Sequence, residues 1–361
     1  MNALPSLCRT IATLFCCLPL LRTLAAPATT ASTPGLIRSE SIASPFPVPF
    51  NHASTLVETK EGLLAAWAGG LQERATDVSI WVSRFENNAW SRPQEIADGR
   101  QIGHAWRYPC WNPVLFQSKS GPLTLYYRVG PSPSDWRTLY LTSTNGGLTW
   151  SAPKSLGRGL VGPVRNKPIE LESGVLLAGA SREDSGWRVH VERWKSPKSS
   201  WSPTPEISGA FEFGAIQPTL LAHRSGRIQM LCRTKYGRVV ESWSENEGVS
   251  WSRLRLTPLP NPNSALDAVM LIEGAALLVY NHSATERNAL NIALSQDGAT
   301  WQAALVLARE PGHECSYPAV IQTSDGLVHV TYSYDRKEIR HAILDPWQCK
   351  LRPMPNGVWP W

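Results

Sequence analysis

The stretch that decides the fold runs Ser143-Thr144-Asn145-Gly146-Gly147-Leu148-Thr149-Trp150. Its Ser and Asn side chains suit bonding back to turn backbone, its glycines accept a positive φ, and its tryptophan is a large wedge for packing between sheets. The octet recurs as Ser244-Glu245-Asn246-Glu247-Gly248-Val249-Ser250-Trp251, and shortened as Ser295-Gln296-Asp297-Gly298-Ala299-Thr300-Trp301. Degenerate copies end at Trp90 and Trp201. A second marker, a glycine turn entering an apolar strand, falls at Gly62, Gly121, Gly174, Gly226, Gly274 and Gly326. These glycines stand roughly 50 residues apart, the period of propeller blades. The pattern predicts an all-β, six-bladed β-propeller of four-stranded antiparallel blades, the last closed by strand material from near the mature N-terminus.

Composition agrees with many short strands joined by turns: 16 Trp, 29 Pro and 26 Gly, with 18% charged residues. The net charge of +6 includes Arg9 and Arg22 of a leader and comes with no Lys/Arg run, which argues against nucleic acid as a partner. Arg9, the apolar run Ile11 to Leu21 and the small residues Ala25, Ala26 and Ala28 read as a secretory signal peptide over 1–26, so a secreted or periplasmic location is expected. That run is too short for a membrane span, which takes about 20 residues. Residues 27–44 read as a linker, 45–346 as the propeller and 347–361 as a Pro- and Trp-rich tail. Beyond the leader the cysteines are Cys110, Cys232, Cys315 and Cys349; no CxxC spacing is present, so neither a metal site nor a cofactor is expected.

The turns are Asp-boxes, and over roughly residues 45–345 the chain resembles the sialidase (neuraminidase) superfamily with its BNR repeats. Asp-boxes argue for the fold and leave function to the site. Alternating strand direction puts the start of each blade's first strand, the end of its second strand and the following loop on one face. Polar residues that satisfy this criterion are His52, Glu73, Asn112, Gln217, Arg233, Arg287 and Tyr317.

Members of the superfamily hold a substrate carboxylate with three arginines and use a Tyr nucleophile assisted by Glu, with an Asp acid/base on a loop. An anionic nucleophile would be repelled by the substrate's carboxylate, and the arginine fork pairs two carboxylate oxygens at once. By resemblance, Arg233 is similar to the second arginine, Arg287 to the third, Tyr317 in Ser-Tyr-Pro to the nucleophile, and Glu73 takes the place of the loop acid. Two positions depart from the pattern: His52 stands where the first arginine opens its segment, and Gln217 where the assisting Glu is expected. Arg128 or Arg165 could supply the missing cation. Asn112, Asn166, Lys167 and Asp267 are further candidate substrate contacts. Each polar residue has a plainer alternative, an arginine as an ion-pair partner, a tyrosine as a packed aromatic, Glu73 as a solvated loop carboxylate.

The expected activity is an exo-acting glycoside hydrolase that releases a terminal acidic sugar, sialic acid or a relative, from a glycan. Tyr317 or a His52-activated water would attack while Glu73 protonates the leaving oxygen. A lyase acting on a uronic acid would use the same cations with His52 or Tyr317 as base. A carbohydrate-binding propeller without catalysis is the alternative from another class.

Overall fold

The computed structural model describes Met1 and residues 33–361, apart from 102, 196–199 and 210. The expected signal peptide therefore lies, Met1 aside, outside the described residues. Six antiparallel sheets of four or five strands make a six-bladed β-propeller. Blade one shows how the sequence makes a blade. Phe50–Thr59 turns at Gly62 into Gly62–Gly70, which pairs with Ser79–Glu86, and short outer strands follow. The turn needs glycine: at Gly62 φ is +96°, and an added Cβ would lie 2.7 Å from the Phe85 carbonyl oxygen.

The tryptophan octets behave as their chemistry requires. Ser143 Oγ accepts from the Gly147 N–H (2.8 Å), and Asn145 Oδ1 accepts from the Thr149 N–H (3.0 Å). Ser244 with Gly248, and Asn246 with Ser250, repeat the pair at 2.9 Å each. The last residue of the octet seals the turn in blades four and five, where the indoles of Trp251 and Trp301 donate to the carbonyls of Gly248 and Gly298. These turns also dock blades on each other: a Cβ on Gly147 would meet Leu64 of blade one, and one on Gly248 would meet Leu177 of blade three.

The core lies between blades. Apolar faces of blades one and two share Leu64, Ile80, Leu125 and Tyr127, while blades five and six share Val279, Leu290, Val330 and Tyr332. Such faces are hydrophobic on both sides of the sheet, which is why the strands read as near-continuous apolar runs.

Two segment boundaries differ from the sequence reading. Leu36–Ser41 lies inside the stretch read as a linker, yet it pairs with Glu338–Leu344 and completes blade six. The strand came from the N-terminal side as expected; its apolar content is too thin for a periodicity argument. The tail is part of the propeller: Arg352–Pro353 adds a fifth strand to blade five, and Met354 and Trp359 are buried against blades four and five. A two-residue strand and isolated apolar anchors carry no pattern that a sequence window detects. Among the described residues no helix is long and apolar enough to cross a membrane.

Candidate functional site

A cavity opens on one face of the propeller. Its walls include His52 and Glu73 of blade one, Asn112 and Trp136 of blade two, Glu183 and Trp187 of blade three, Gln217 and Arg233 of blade four, and Tyr317 of blade six. Apart from Trp136, the second residue of the third strand of blade two, each of these residues begins a blade's first strand, ends its second, or lies in the loop that follows. The face criterion drawn from alternating strands therefore selects the cavity.

A repeated irregularity aims the side chains. In blades one, two, four and six the pairing of the first and second strands slips at His52/Thr55, Trp111/Val114, Ile216/Thr219 and Ser316/Ala319. Within each slip sits one residue with positive φ: Ala53 (+58°), Asn112 (+38°), Gln217 (+56°) and Tyr317 (+54°). A bulge with a left-handed residue re-aims a side chain that a regular strand would bury. Holding this conformation at non-glycine residues costs roughly 1–3 kcal/mol each, and such costs gather at functional sites. Buried polar groups over-determine it. Arg165, 1% exposed, donates to the backbone oxygens of Tyr317 (2.7 Å) and Pro318 (2.9 Å). Asn166 donates to the Gln217 carbonyl (3.2 Å), and Arg128 to that of Asn112 (3.3 Å).

Arg233 is the centre of the site. It is buried, and its guanidinium donates to Asn263 Oδ1 (2.8 Å), Gln217 Oε1 (3.2 Å) and the Tyr317 hydroxyl (3.0 Å). All three acceptors are neutral, and no carboxylate among the described residues forms an ion pair with it. The Tyr317 ring lies 4.2 Å from the His52 imidazole, centroid to centroid. Burial pushes the Tyr317 phenol up, but Arg233, Arg287 and Arg165 outweigh it and leave the phenol below its ordinary value. His52 is held well below the ordinary histidine range, first by burial and then by Arg336, Arg165, Arg287 and Arg233. It is a neutral imidazole whose Nδ1 has no hydrogen-bond partner.

The other expected residues divide. Glu73 lines the cavity but is tied to Arg336 by an ion pair (2.5 Å) and is partly exposed. Arg287 stands behind the cavity wall, held by Glu314 (3.3 Å) and the Asn263 carbonyl (2.7 Å), with its field still felt at Tyr317. Lys167 and Asp267 do not line the cavity. Asp267 is 2% exposed and accepts from Lys167 Nζ (3.0 Å), Thr219 Oγ1 (2.9 Å) and the Val320 N–H (2.9 Å), so it ties together the first strands of blades four, five and six. Asn166 is likewise a backbone support. A polar residue at the start of a strand reads the same in sequence whether it points into the cavity or across the propeller axis.

Arg128 does not supply the missing cation either. Its Nη atoms donate to the carbonyls of Asn112, Val161 and Pro163, and its buried Nε has no partner. Arg165 keeps Nε and Nη1 without partners. Glu183, Trp187 and Arg336 were not singled out by motif, although all three lie in loops that satisfy the face criterion. Trp187 carries Lys235 over its ring at 4.3 Å. Arg336 has a positive φ (+54°) and pairs with both Glu73 and Glu314. Cys110, Cys232, Cys315 and Cys349 are free thiols. No group of three or more His, Cys, Asp or Glu among the described residues is placed to hold a metal ion.

The sequence matches the BNR repeat-like domain family over residues 61–330. The chain belongs to the BNR repeat-like domain family. No curated protein matches the sequence. Among solved structures, a protein of unknown function from Dyadobacter fermentans superposes with a TM-score of 0.69 at 14% identity, over 88% of this chain and 99% of that one. A variant of the NanB sialidase from Streptococcus pneumoniae gives 0.68 at 12% identity, over 88% and 71%. The Trypanosoma rangeli sialidase gives 0.66 at 14%, over 82% of this chain and 55% of that one. At these identities the likeness concerns the fold.

Proposed function

We propose that this BNR repeat-like propeller is a glycoside hydrolase that removes a terminal acidic sugar from a glycan outside the cytoplasm. The observation that carries the reading is Arg233: a buried guanidinium on a cavity wall with only neutral partners. A buried charge without a counter-ion is costly, and a bound carboxylate relieves it with two parallel hydrogen bonds. Arg287, Arg336 and Arg165 add positive field around the same spot. A sugar carboxylate at Arg233 brings the anomeric carbon within the reach of Tyr317, whose phenol is already acid-shifted. Gln217 cannot take the phenol proton, whereas the neutral His52 beside the ring can.

The test is incubation of the purified protein with glycans ending in sialic acid, its deaminated or shortened relatives, or a uronic acid, with products read by mass and ultraviolet absorbance. A free acidic sugar carrying one added water, lost in Tyr317→Phe, supports the hydrolase. The unpartnered Nδ1 of His52 gives a second reading some footing, a lyase in which His52 takes the C5 proton of a uronic acid; an unsaturated product without added water would favour it. Binding of an acidic sugar with no cleavage of any glycan would leave a sugar-binding propeller.

A further inference from the structure

We propose that Glu183, and not Glu73, is the catalytic acid/base of this site, donating a proton to the leaving oxygen of an acidic glycoside. The inference rests on the hydrolase reading above. The site has three carboxylates near its mouth, and their surroundings differ. Glu314 accepts from Ser316 Oγ (2.5 Å) and pairs with Arg287 (3.3 Å) and Arg336 (3.1 Å). Against burial these partners hold its carboxyl low. Glu73 is closed by Arg336 in an ion pair and is 41% exposed. In both, guanidinium groups already hold carboxylate oxygens that would have to reach a leaving group.

Glu183 differs from both. It follows the second strand of blade three, Leu176–Arg182, and lines the cavity together with Tyr317, His52 and Gln217. Among the described residues its carboxyl has no hydrogen bond and no ion-pair contact, although it is largely shielded from solvent. Burial raises it above the usual carboxylate range, against the opposing pull of Arg233 and Lys235. Besides Arg233, the other charged or titratable groups on the cavity wall are His52, Glu73, Arg74, Cys110 and Tyr317. An unpaired carboxyl in a walled cavity, beside a charged neighbour that stays ionised, is how one fold separates an acid from its partner groups. Trp187, four residues on, lines the same cavity.

The chemistry balances without a further reactant. The Glu183 proton passes to the glycosidic oxygen as the bond from that oxygen to the anomeric carbon breaks, its electron pair remaining on oxygen. The Tyr317 oxygen bonds to the anomeric carbon and its proton passes to His52. Water then attacks that carbon and gives its proton to the Glu183 carboxylate. The Tyr317–carbon bond breaks toward oxygen, which recovers the proton held by His52.

The experiment compares the wild-type chain with Glu183→Gln, Glu183→Ala and Glu73→Gln on two substrates bearing the acidic sugar the wild type cleaves. One has an alkyl or sugar leaving group and the other a nitrophenolate, which departs without protonation. The expected result is a loss of roughly 10²–10⁴-fold for the Glu183 variants on the first substrate and a much smaller loss on the second. The high-pH limb of the kcat/KM profile should vanish in Glu183→Gln and persist in Glu73→Gln, and added azide should accelerate Glu183→Ala. Equal losses on both substrates with the limb unchanged would overturn the assignment, as would transfer of the leaving-group effect to Glu73→Gln. A wild type that cleaves no acidic glycoside would overturn the hydrolase reading itself, which separates the two failures. Glu183→Asp, which keeps the proton but withdraws it by one methylene, should retain the limb at a reduced rate.

Discussion

Single side chains at this site are set by whether their charge is answered. Arg233 has neutral partners only, whereas Asp267 has its oxygens filled by Lys167, Thr219 and backbone. The two should respond to mutation in opposite ways. Asp267→Ala leaves the buried Val320 N–H without an acceptor and Lys167, which keeps only the Ala268 carbonyl, without its counter-charge; it should cost about 3–5 kcal/mol of stability, read as a lower urea midpoint. Arg233→Lys keeps the charge but loses the fork. It should cost roughly 1.5–3 kcal/mol of transition-state binding, about ten- to a hundredfold in kcat/KM, with an unchanged urea midpoint. A fall in stability as large as that of Asp267→Ala would make Arg233 a structural residue. Motif resemblance drew attention to Arg233, Tyr317 and Gln217 because their neighbours in sequence carry a pattern. Glu183 stands in no pattern, and its unpaired state depends on side chains from other blades.

At the scale of the element, the blade is a sequence device with two glycine positions of unequal worth. Gly226 has a φ of +82° and open space where a Cβ would stand, whereas Gly248, at +73°, would place that atom 2.9 Å from Leu177 of the neighbouring blade. Gly226→Ala should therefore cost only the left-handed strain of about 1–2 kcal/mol. Gly248→Ala should add about 1–3 kcal/mol of overpacking to a similar strain, and Leu177→Ala should recover part of that addition in a double-mutant cycle. Strict additivity of the two would show that the Asp-box turn does not dock the blades. The turns and the strand starts were readable because each is a local chemical statement. The closing strand Leu36–Ser41 was harder to delimit, since its place is decided by the free edge of Glu338–Leu344.

Across the whole molecule several histidines are buried in their neutral form. His341 is pushed down to about 3, by burial first and then by His329 and Arg38. His282 is lowered to about 4 by burial, and His52 is lowered as well. These groups bind a proton more weakly folded than unfolded, so their contribution to stability is complete above the unfolded value of about 6.5 and is lost as pH falls toward the folded values. At pH 5 His341 and His282 should each have surrendered about 2 kcal/mol relative to neutral pH. Urea unfolding at pH 7.5 and pH 5 measures this, and replacement of His341 by Gln should flatten the dependence. His341 sits where strand Leu36–Ser41 closes the ring, facing Glu40 (3.2 Å) and His329 (2.9 Å). Acid destabilisation should therefore be greatest at the closure.

The sequence by itself determined the number of blades, the strand and turn chemistry, and the face on which a site must lie. All of these follow from local rules: a glycine where φ must be positive, a Ser and Asn where a turn needs acceptors, an alternation that points neighbouring strands in opposite directions. Only the tertiary structure decided which polar residues of that face meet a cavity and which are spent holding blades together. Asp267 and Glu183 are both acidic residues near strand ends. One is filled by donors from blades three, four and six, and the other is left unpaired among groups from blades one, four and six. Their difference lies in long-range neighbours, and burial and pairing, which set the charge state of a carboxyl, exist only after the ring has closed.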